Sequence, residues 1–316
     1  NIHSIAFYIS PMINAMCRCG DMDEKDLLFK AFIEQDEVFK YKKRGEQEEI
    51  DEDIYTRAVR LCKNVKAKQD KMIQKALPTL KESIEKKKIN LNPVMFIKST
   101  EDIPNVLNGT IAMKLAEYYN RPCLILNKHD EKTYGGSGRN FDTCPIENLK
   151  DTLTDLKEFE FVQGHFGAFG FSIKAENVKN AIEKTKNTLS HLNFESIPID
   201  FIIDFKDLTV NFIREIDNLK DFYGTGLKEP YIFIENVKIS RNQCSLMGKE
   251  KNTWKAITDE NIAIVKFKND ENDWVLHWIN DNEAEGNDYF TINIIGNVNI
   301  NNYNGILTPQ ILVKEY

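Results

Sequence analysis

The sequence of 316 residues lacks several features that would place it in a specialised class of protein. No apolar run approaches the roughly 18 residues that a membrane-spanning helix needs. The N-terminal segment lacks the basic-then-apolar order of a signal peptide. The six cysteines include no Cys-x-x-Cys pair, which argues against a zinc site and against a disulfide framework. We therefore expect reduced thiols in a soluble cytoplasmic protein.

The chain also lacks a general excess of positive charge. Its net charge is −7, and the imbalance lies in residues 196–316, which carry 19 acidic and 12 basic side chains. Residues 1–195 are balanced, with 30 of each. A protein that covers nucleic acid with one basic face is thereby excluded. Any nucleic-acid path must be a confined groove.

The N-terminal 90 residues divide into two segments. The chain begins with Asn1 rather than Met, so we expect the remainder of a longer polypeptide. Residues 1–50 pair an extended apolar start with a short helix in DEKDLLFKAFIEQD and a charged, solvated connection. Over 54–88 the apolar residues recur every three or four positions, which predicts one long connector helix, bent at Pro78. Its lysines indicate a solvated face, with a phosphate-binding face as the alternative.

Strand-like and helical patterns alternate from residue 91 to residue 195. PVMFIKS and RPCLILNK are short, β-rich apolar runs, and NVLNGTIAMKLAEYY between them has helical spacing. PIENLKDTLTDL and NVKNAIEKTKNTLSHL predict two more helices, and GAFGFSIKA predicts a strand. This alternation indicates an α/β domain.

Residues 196–316 have a different pattern, with strand-like runs at short intervals. Asn, Gly and Asp separate the runs PYIFIENVKIS, CSLMGK, NTWKAI, IAIVKFK, WVLHWI, YFTINIIGNVNINNY and GILTPQILVKEY. Such spacing predicts a small β-barrel or sandwich. The predicted fold class is therefore α/β plus all-β.

Two glycine-dense stretches each carry one residue suited to an anion. YGGSGRNFDTC contains Arg139, and QGHFGAFGFSI contains His165. Glycine clusters predict turns whose backbone N–H groups can approach phosphate oxygens closely, and Arg adds a forked, permanent charge. Ser137 can add a hydroxyl donor, and His165 a ring N–H. The alternatives are a surface loop with a solvated Arg139 and a tight turn with a satisfied His165.

Five motifs in order, followed by two further segments, resemble the C-terminal portion of RecJ-type single-strand-specific exonucleases of the DHH phosphoesterase superfamily. FYISPMINAMCRCGD resembles the segment that ends the DHH domain, and NVLNGTIAMKLAEYYNRPCLIL resembles the start of the DHH-associated domain. GGSGRN and QGHFGAFGFSI resemble the G-S-x-R-S and G-G-H-x-x-A-x-G motifs of that domain. DFYGTGLKEPYIFIENVKI resembles the segment leading into the RecJ OB-fold. SLMGKEKNTWKA and NINNYNGILTPQILVKEY resemble the start and the last strand of that fold.

The resemblance implies a domain order and a metal. Residues 1–50 correspond to the end of the DHH catalytic domain, 51–90 to a long connector helix, 91–195 to the α/β DHH-associated domain that binds nucleic acid, and 196–316 to an OB-like β-barrel. Mn²⁺ or Mg²⁺ is implied by the family, held by aspartate-rich and DHH motifs that would lie before Asn1. Because no cluster in this sequence has metal-ligand spacing, we expect the segment alone to be inactive.

The resemblance also implies roles for particular residues. The candidate nucleic-acid-binding residues are Arg18, Ser137, Gly138, Arg139, Gly164, His165 and Lys249. The Ser/Arg stretch would grip the 5′-terminal phosphate or the nearby backbone, and His165, the candidate catalytic residue, would face the scissile phosphate. Three residues depart from the family pattern: Cys17 replaces a Gly, Asn140 a Ser and Gln163 a Gly.

Two interpretations are open for each of the other candidate residues. Arg18 either pairs with an acid such as Asp21 or binds a phosphate, and the resemblance favours the phosphate. Asn14 is expected to stabilise the turn that carries Arg18. Aromatic residues of the β-domain could stack on bases, although aromatics in strands more often belong to a core. They are Trp254, Trp274, Trp278 and Tyr303. Basic residues there could contact the nucleic-acid backbone or be solvated. They are Lys249, Lys251 and Lys255.

Three functions follow from these patterns. The first is the DNA-gripping part of a RecJ-like 5′→3′ single-strand exonuclease that acts in DNA repair and recombination. The second is a non-catalytic module that binds single strands or a partner, such as a single-strand-binding or replication protein. The third is a DHH-type phosphodiesterase for oligonucleotides or cyclic dinucleotides, disfavoured because those enzymes end after the Gly-His motif. Single-stranded DNA is the expected ligand, and no membrane partner is expected.

Overall fold

The computed structural model describes residues 5–43, 45, 47–100, 103–224, 227–248, 251–267, 273–281 and 288–316. The chain divides into two compact units, Asn1–Ser196 and Ile197–Tyr316. All six cysteines are free. No helix in the described residues is both long enough and apolar enough to cross a membrane.

The N-terminal segment is helical, whereas the sequence predicted an extended start. A π-helical turn at Ile5–Ile9 leads into helix α1, Ser10–Cys19, which has Pro11 in its first turn, where a missing N–H costs no helical hydrogen bond. Helix α2, Met22–Phe32, confirms the predicted short helix. It begins with a capping box in which Asp21 accepts from the Glu24 N–H and the Glu24 carboxylate accepts from the Asp21 N–H.

The predicted solvated connection is instead a β-hairpin. Strands β1, Val38–Lys42, and β2, Glu49–Asp53, pair antiparallel. The following helix holds the hairpin, because Arg60 donates to both carboxylate oxygens of the buried Glu52, at 2.8 and 2.6 Å, and its guanidinium stacks on Tyr41. Such contacts between charged and aromatic side chains leave no periodic apolar pattern, so the sequence analysis missed the hairpin.

The predicted long helix is confirmed as α3, Ile54–Lys86, with Pro78 inside it. At 1.5 Å per residue it is about 50 Å long. Its first half packs on α1 through Cys62 and Val65, and its second half contributes Ile73 and Leu80 to the core of the α/β sheet. One helix therefore stabilises both parts of the first unit.

The α/β part contains a five-stranded mixed sheet. The strands are β3, Met95–Lys98; β4, Cys123–Lys128; β5, Thr133–Arg139; β6, Phe159–His165; and β7, Ala168–Lys174, in the order β3-β4-β5-β7-β6. Only β3 and β4 are parallel; the other neighbours are antiparallel. The helices are α4, Asn108–Tyr119; α5, Leu149–Asp155; and α6, Val178–Leu189. The alternating pattern thus predicted the three helices and the strands β3, β4 and β7, but not β5 or β6.

Most residues of the glycine clusters lie in strands β5, β6 and β7, which corrects the prediction that both clusters form loops. Phe166 and Gly167 form the turn between β6 and β7. Gly136 and Gly138 lie in β5 opposite Phe171 and Phe169 of β7. A Cβ on Gly138 would stand 2.3 Å from the Phe169 ring, and one on Gly136 would stand 1.8 Å from the Ile125 carbonyl oxygen. These glycines therefore make room for neighbouring groups inside the sheet, and turn geometry does not explain them.

The second unit is built on a seven-stranded sheet. Its strands are β8, Phe201–Asp204; β9, Ile232–Ser240; β10, Cys244–Met247; β11, Thr253–Ile257; β12, Ala263–Lys266; β13, Tyr289–Tyr303; and β14, Ile306–Glu315. Their order is β10-β11-β12-β14-β13-β9-β8, with register shifts in β13. Helix α7, Val210–Asn218, packs on β13 and β14. The predicted α/β plus β class is confirmed.

One predicted strand of this unit is a helix. WVLHWI forms α8, Trp274–Asn280, because the Asp273 carboxylate caps it by accepting from the Leu276 N–H at 3.1 Å. A six-residue apolar run fits a buried strand or a short helix equally well, and the cap decides between them.

Candidate nucleic-acid interface

Two arginines from distant parts of the chain converge on the first turn of α4. Arg18, in the last turn of α1, donates from Nη1 to the Thr110 hydroxyl at 3.1 Å. Arg139, the last residue of β5, lies against Gly109, where an added Cβ would stand 2.5 Å from its Nη2. Since α4 begins at Asn108, both guanidiniums lie at its N-terminal end.

Neither guanidinium pairs with a carboxylate in the described part of the chain. Burial lowers the pKa of Arg139, and the nearby charge of Arg18 lowers it further. Arg139 still donates to the Gly138 carbonyl at 2.7 Å, and an arginine remains charged at neutral pH. Two unneutralised cations therefore lie side by side, which is unfavourable until an anion joins them.

The end of α4 adds to this positive potential. The first N–H groups of a helix have no partner within it, and the aligned peptide dipoles place partial positive charge there. No side chain caps α4 at Leu107, although a 3₁₀ turn at Asn105–Leu107 precedes it and the Asn108 N–H donates to the Asn105 carbonyl. Two guanidiniums and a helix end without a side-chain cap together form a site suited to a phosphate group.

The structure argues against the ion-pair interpretation of Arg18, and phosphate binding stays a prediction. Asp21 caps α2 and has no ion pair with Arg18. The partner of Arg18 is the neutral Thr110 hydroxyl, so its charge is available to a ligand. Asn14 lies exposed inside α1, not in the turn that it was expected to stabilise.

Strand pairing brings His165 into the same row as Arg139. Ala168 of β7 pairs with Arg139 on one side and with His165 on the other. Two strand spacings separate the outer residues, about 10 Å between Cα atoms. Ser137 lies two residues before Arg139 and so on the same face of β5. The small Ala168 between the two polar residues leaves the row open.

The other glycine candidates shape the ends of the strands. Gly164 has φ of +138°, and a Cβ there would stand 2.8 Å from the Ala168 carbonyl oxygen. Only glycine fits this position. Gly138 is buried under the Phe169 ring. A contact between nucleic acid and either glycine remains a prediction.

The candidate residues of the β-domain differ in their exposure. Lys249 lies outside the described residues. Trp254 is fully buried, so stacking on bases is excluded for it. Trp274 and Trp278 pack edge-on against Phe290, with ring centroids 4.8 and 4.7 Å apart. Tyr303 is 70% exposed at the end of β13 and keeps the stacking interpretation. Of the remaining two candidates, Lys251 is exposed and Lys255 is half-buried.

The sequence analysis missed Gly109 and Thr110. Both lie in the NVLNGTIAMKLAEYY segment, which predicted a helix but no site. A glycine in the first turn of a helix is unfavourable without a reason, and that cost was the available signal. The reason is the close approach of Arg139.

The metal that the resemblance implied does not fit the residues present. Among the described residues, no group of three or more His, Cys, Asp or Glu side chains is placed to hold a metal ion. The site in this chain therefore supplies positive charge and hydrogen-bond donors.

Comparisons with known proteins show what the chain is similar to. A family model described as the RecJ OB domain matches residues 199–315. Those residues are therefore similar to the RecJ OB domain. Over its whole length, the chain is 34% identical to the prophage-derived single-strand DNA-specific exonuclease YorK of Bacillus subtilis, and it covers 54% of that protein. It is also 23% identical to the single-stranded-DNA-specific exonuclease RecJ of B. subtilis, of which it covers 37%.

Solved structures show the same fold. RecJ of Thermus thermophilus in complex with Mn²⁺ aligns over 99% of this chain with a TM-score of 0.60 at 14% identity, and 41% of that protein is covered. Its Mg²⁺ complex aligns with a TM-score of 0.54 at 13% identity and 43% coverage. The predicted resemblance to the C-terminal portion of RecJ-type exonucleases is confirmed. The chain spans about half the length of YorK, and less of the RecJ proteins.

Proposed function

We propose that this chain is the substrate-gripping C-terminal part of a RecJ-like 5′→3′ single-stranded DNA exonuclease. The observation that supports the proposal is the convergence of Arg18 and Arg139, neither paired with an acid among the described residues, on the N-terminal end of α4. The names of the relatives, single-strand DNA-specific exonucleases, supply the substrate class.

In this proposal each residue acts on the strand directly. Arg18 and Arg139 hold one phosphate by forked hydrogen bonds, and the Ser137 hydroxyl donates to the same group. His165, about 10 Å across the sheet, lies beside a neighbouring phosphodiester, where its ring can move a proton. The row of small residues between them leaves space for the sugar-phosphate backbone.

Hydrolysis also needs the metal ions that the family resemblance implies. The related T. thermophilus structures are titled as complexes with Mn²⁺ and with Mg²⁺. The described residues of this chain offer no ligand set for either ion. We therefore propose that the ligands come from outside this segment, and that the segment alone is inactive.

The proposal extends to organisation and cellular context. We infer the four-part division at residues 50, 90 and 195 from the motif order. Free thiols support a reducing compartment, and we infer the cytoplasm. We also infer a role in DNA repair and recombination, with single-strand-binding or replication proteins as further partners.

The salt dependence of binding tests the proposal. A dT12 oligonucleotide should bind the purified chain, and Arg139→Ala should weaken binding and lower the slope of log K against log salt by roughly one unit, because one phosphate contact is lost. Arg214→Ala is the control, since this exposed arginine of α7 lies outside the site. A slope that is unchanged by Arg139→Ala would contradict the proposal.

A further inference from the structure

A stripe of lysines lies along the middle of α3. Lys68, Lys71 and Lys75 are all exposed. Because successive helical residues turn by about 100°, these three lie within roughly 60° of one another around the helix axis. The stripe extends about 10 Å along the axis.

The three lysines have no acidic partner among the described residues. Lys66, on another face, is bound by Asp70 at 2.6 Å. Residues 54–88 carry eleven basic and three acidic side chains, in a chain whose net charge is −7. Like charges at these spacings destabilise a helix. The stripe is therefore a concentrated positive surface, different from the mixed charges of an ordinary solvated face.

The stripe begins about one helical turn beyond Val65, where α1 packs on α3. The C-terminal end of α1 packs on α3, where Cys19 contacts the cluster that contains Cys62 and Val65. Burial raises the pKa of the Cys19 thiol, while the charges of Lys68 and Arg18 act on it in the opposite direction. Lys68 and Arg18 are thus within electrostatic reach of the same side chain.

We propose that Lys68, Lys71 and Lys75 form a track that binds the phosphate backbone of a single strand leaving the Arg18–Arg139 site. This inference rests on the proposed function. A single strand fits the track because its charge repeats along its length, and a lysine stripe offers charges in series without reading a sequence. The stripe starts where α1, which carries Arg18, packs on α3. A strand whose phosphate is held by Arg18 is therefore favoured as the ligand of the stripe.

A comparison of two oligonucleotide lengths tests the track. The probes are dT2, which reaches only the arginine site, and dT12, which extends beyond it. The variant is Lys68→Gln/Lys71→Gln/Lys75→Gln. The matched control is Lys86→Gln/Lys87→Gln/Lys88→Gln, which removes the same charge from exposed lysines at the end of α3. Binding is measured across a salt series.

The stripe variant should lower the salt slope for dT12 by about two, because three phosphate contacts contribute about 0.7 each. The same variant should leave dT2 affinity within about twofold, and the control should leave both probes near wild type. Equal effects of the two triple variants on dT12, or equal losses for dT2 and dT12, would overturn the track while leaving the arginine site intact. If the wild-type chain binds neither probe, the proposed function fails as well. Binding of acidic peptides or anionic vesicles in place of dT12 would also overturn it.

Discussion

Gly109 determines how closely Arg139 can approach the end of α4. An added Cβ would stand 2.5 Å from Nη2 and 3.1 Å from the guanidinium carbon. The residue contributes no charge and no side chain, yet the arginine can occupy this position only if glycine is there. The candidate site therefore depends on steric room as much as on charge.

We expect Gly109→Ala to weaken binding of dT12 about three- to tenfold, close to 1 kcal/mol, because Arg139 must move while the net charge stays the same. The same substitution in an Arg139→Ala background should have almost no further effect. Fluorescence anisotropy with all four proteins measures this coupling. Equal losses in both backgrounds would show that Gly109 acts by some route other than Arg139.

His165 should matter for turnover. In the complete protein we expect His165→Ala to lower kcat by about a hundredfold or more with little change in binding, if the ring moves a proton at the scissile phosphate. Steady-state kinetics and direct binding of a single strand separate the two effects. Parallel losses in kcat and affinity would assign His165 to binding alone, as in a module without catalysis.

At the scale of elements, an ion pair joins the β1–β2 hairpin to α3. Glu52 is 4% exposed, and the hydrogen bonds from Arg60 hold the pKa of its carboxyl below the ordinary value of 4.5. A depressed pKa means that the folded state favours the ionised form. The stability from this pair is fully present above the ordinary pKa and is lost as the pH falls through the folded one.

We expect Glu52→Gln to lower the free energy of unfolding by about 1–2 kcal/mol at pH 7, because charge-assisted hydrogen bonds are lost. The difference from wild type should shrink as the pH falls through the lowered folded pKa, because Glu52 then becomes protonated in both states of the wild type. Urea denaturation over a descending pH series measures it. Exposed Glu48 provides the control Glu48→Gln, and a difference that persists at low pH would rule out the ion pair as the cause.

Periodic patterns predicted most elements because apolar spacing is local information. The long helix α3 and the strands β3, β4 and β7 follow from it. The glycine-rich strand β5 could not be predicted in the same way, since its glycines are explained by Phe169 and Phe171 on another strand. The capped helix α8 and the β1–β2 hairpin were also not predicted, because the contacts that stabilise them are polar or cation–π.

At the scale of the whole molecule, the predicted cleft inside the first unit is wrong. A stiff connector helix such as α3 is expected to hold the Arg18 segment and the α/β domain apart across a cleft. Arg18 instead donates directly to Thr110 of that domain. Residues that were predicted to face each other across a gap are thus adjacent, because α1 and the sheet both pack on the same helix.

The candidate residues were predictable from the sequence, and their arrangement was not. Arg18 and Arg139 are 121 positions apart, and nothing in their local patterns shows that they meet. Their common position at the start of α4 depends on tertiary packing of α1 on α3 and of α4 on β5. The order of the motifs identified the candidate residues, and the structure shows which of them lie close together.

The central claim is that two guanidiniums hold one phosphate, and single-phosphate neutralisation tests it most directly. A methylphosphonate is placed at each position of dT12 in turn, and binding is measured for wild type, Arg18→Gln and Arg139→Gln. The account predicts one position where neutralisation weakens wild-type binding and where both variants are insensitive, since each has already lost part of that contact. Insensitivity of the two variants at different positions, or at none, would contradict the claim.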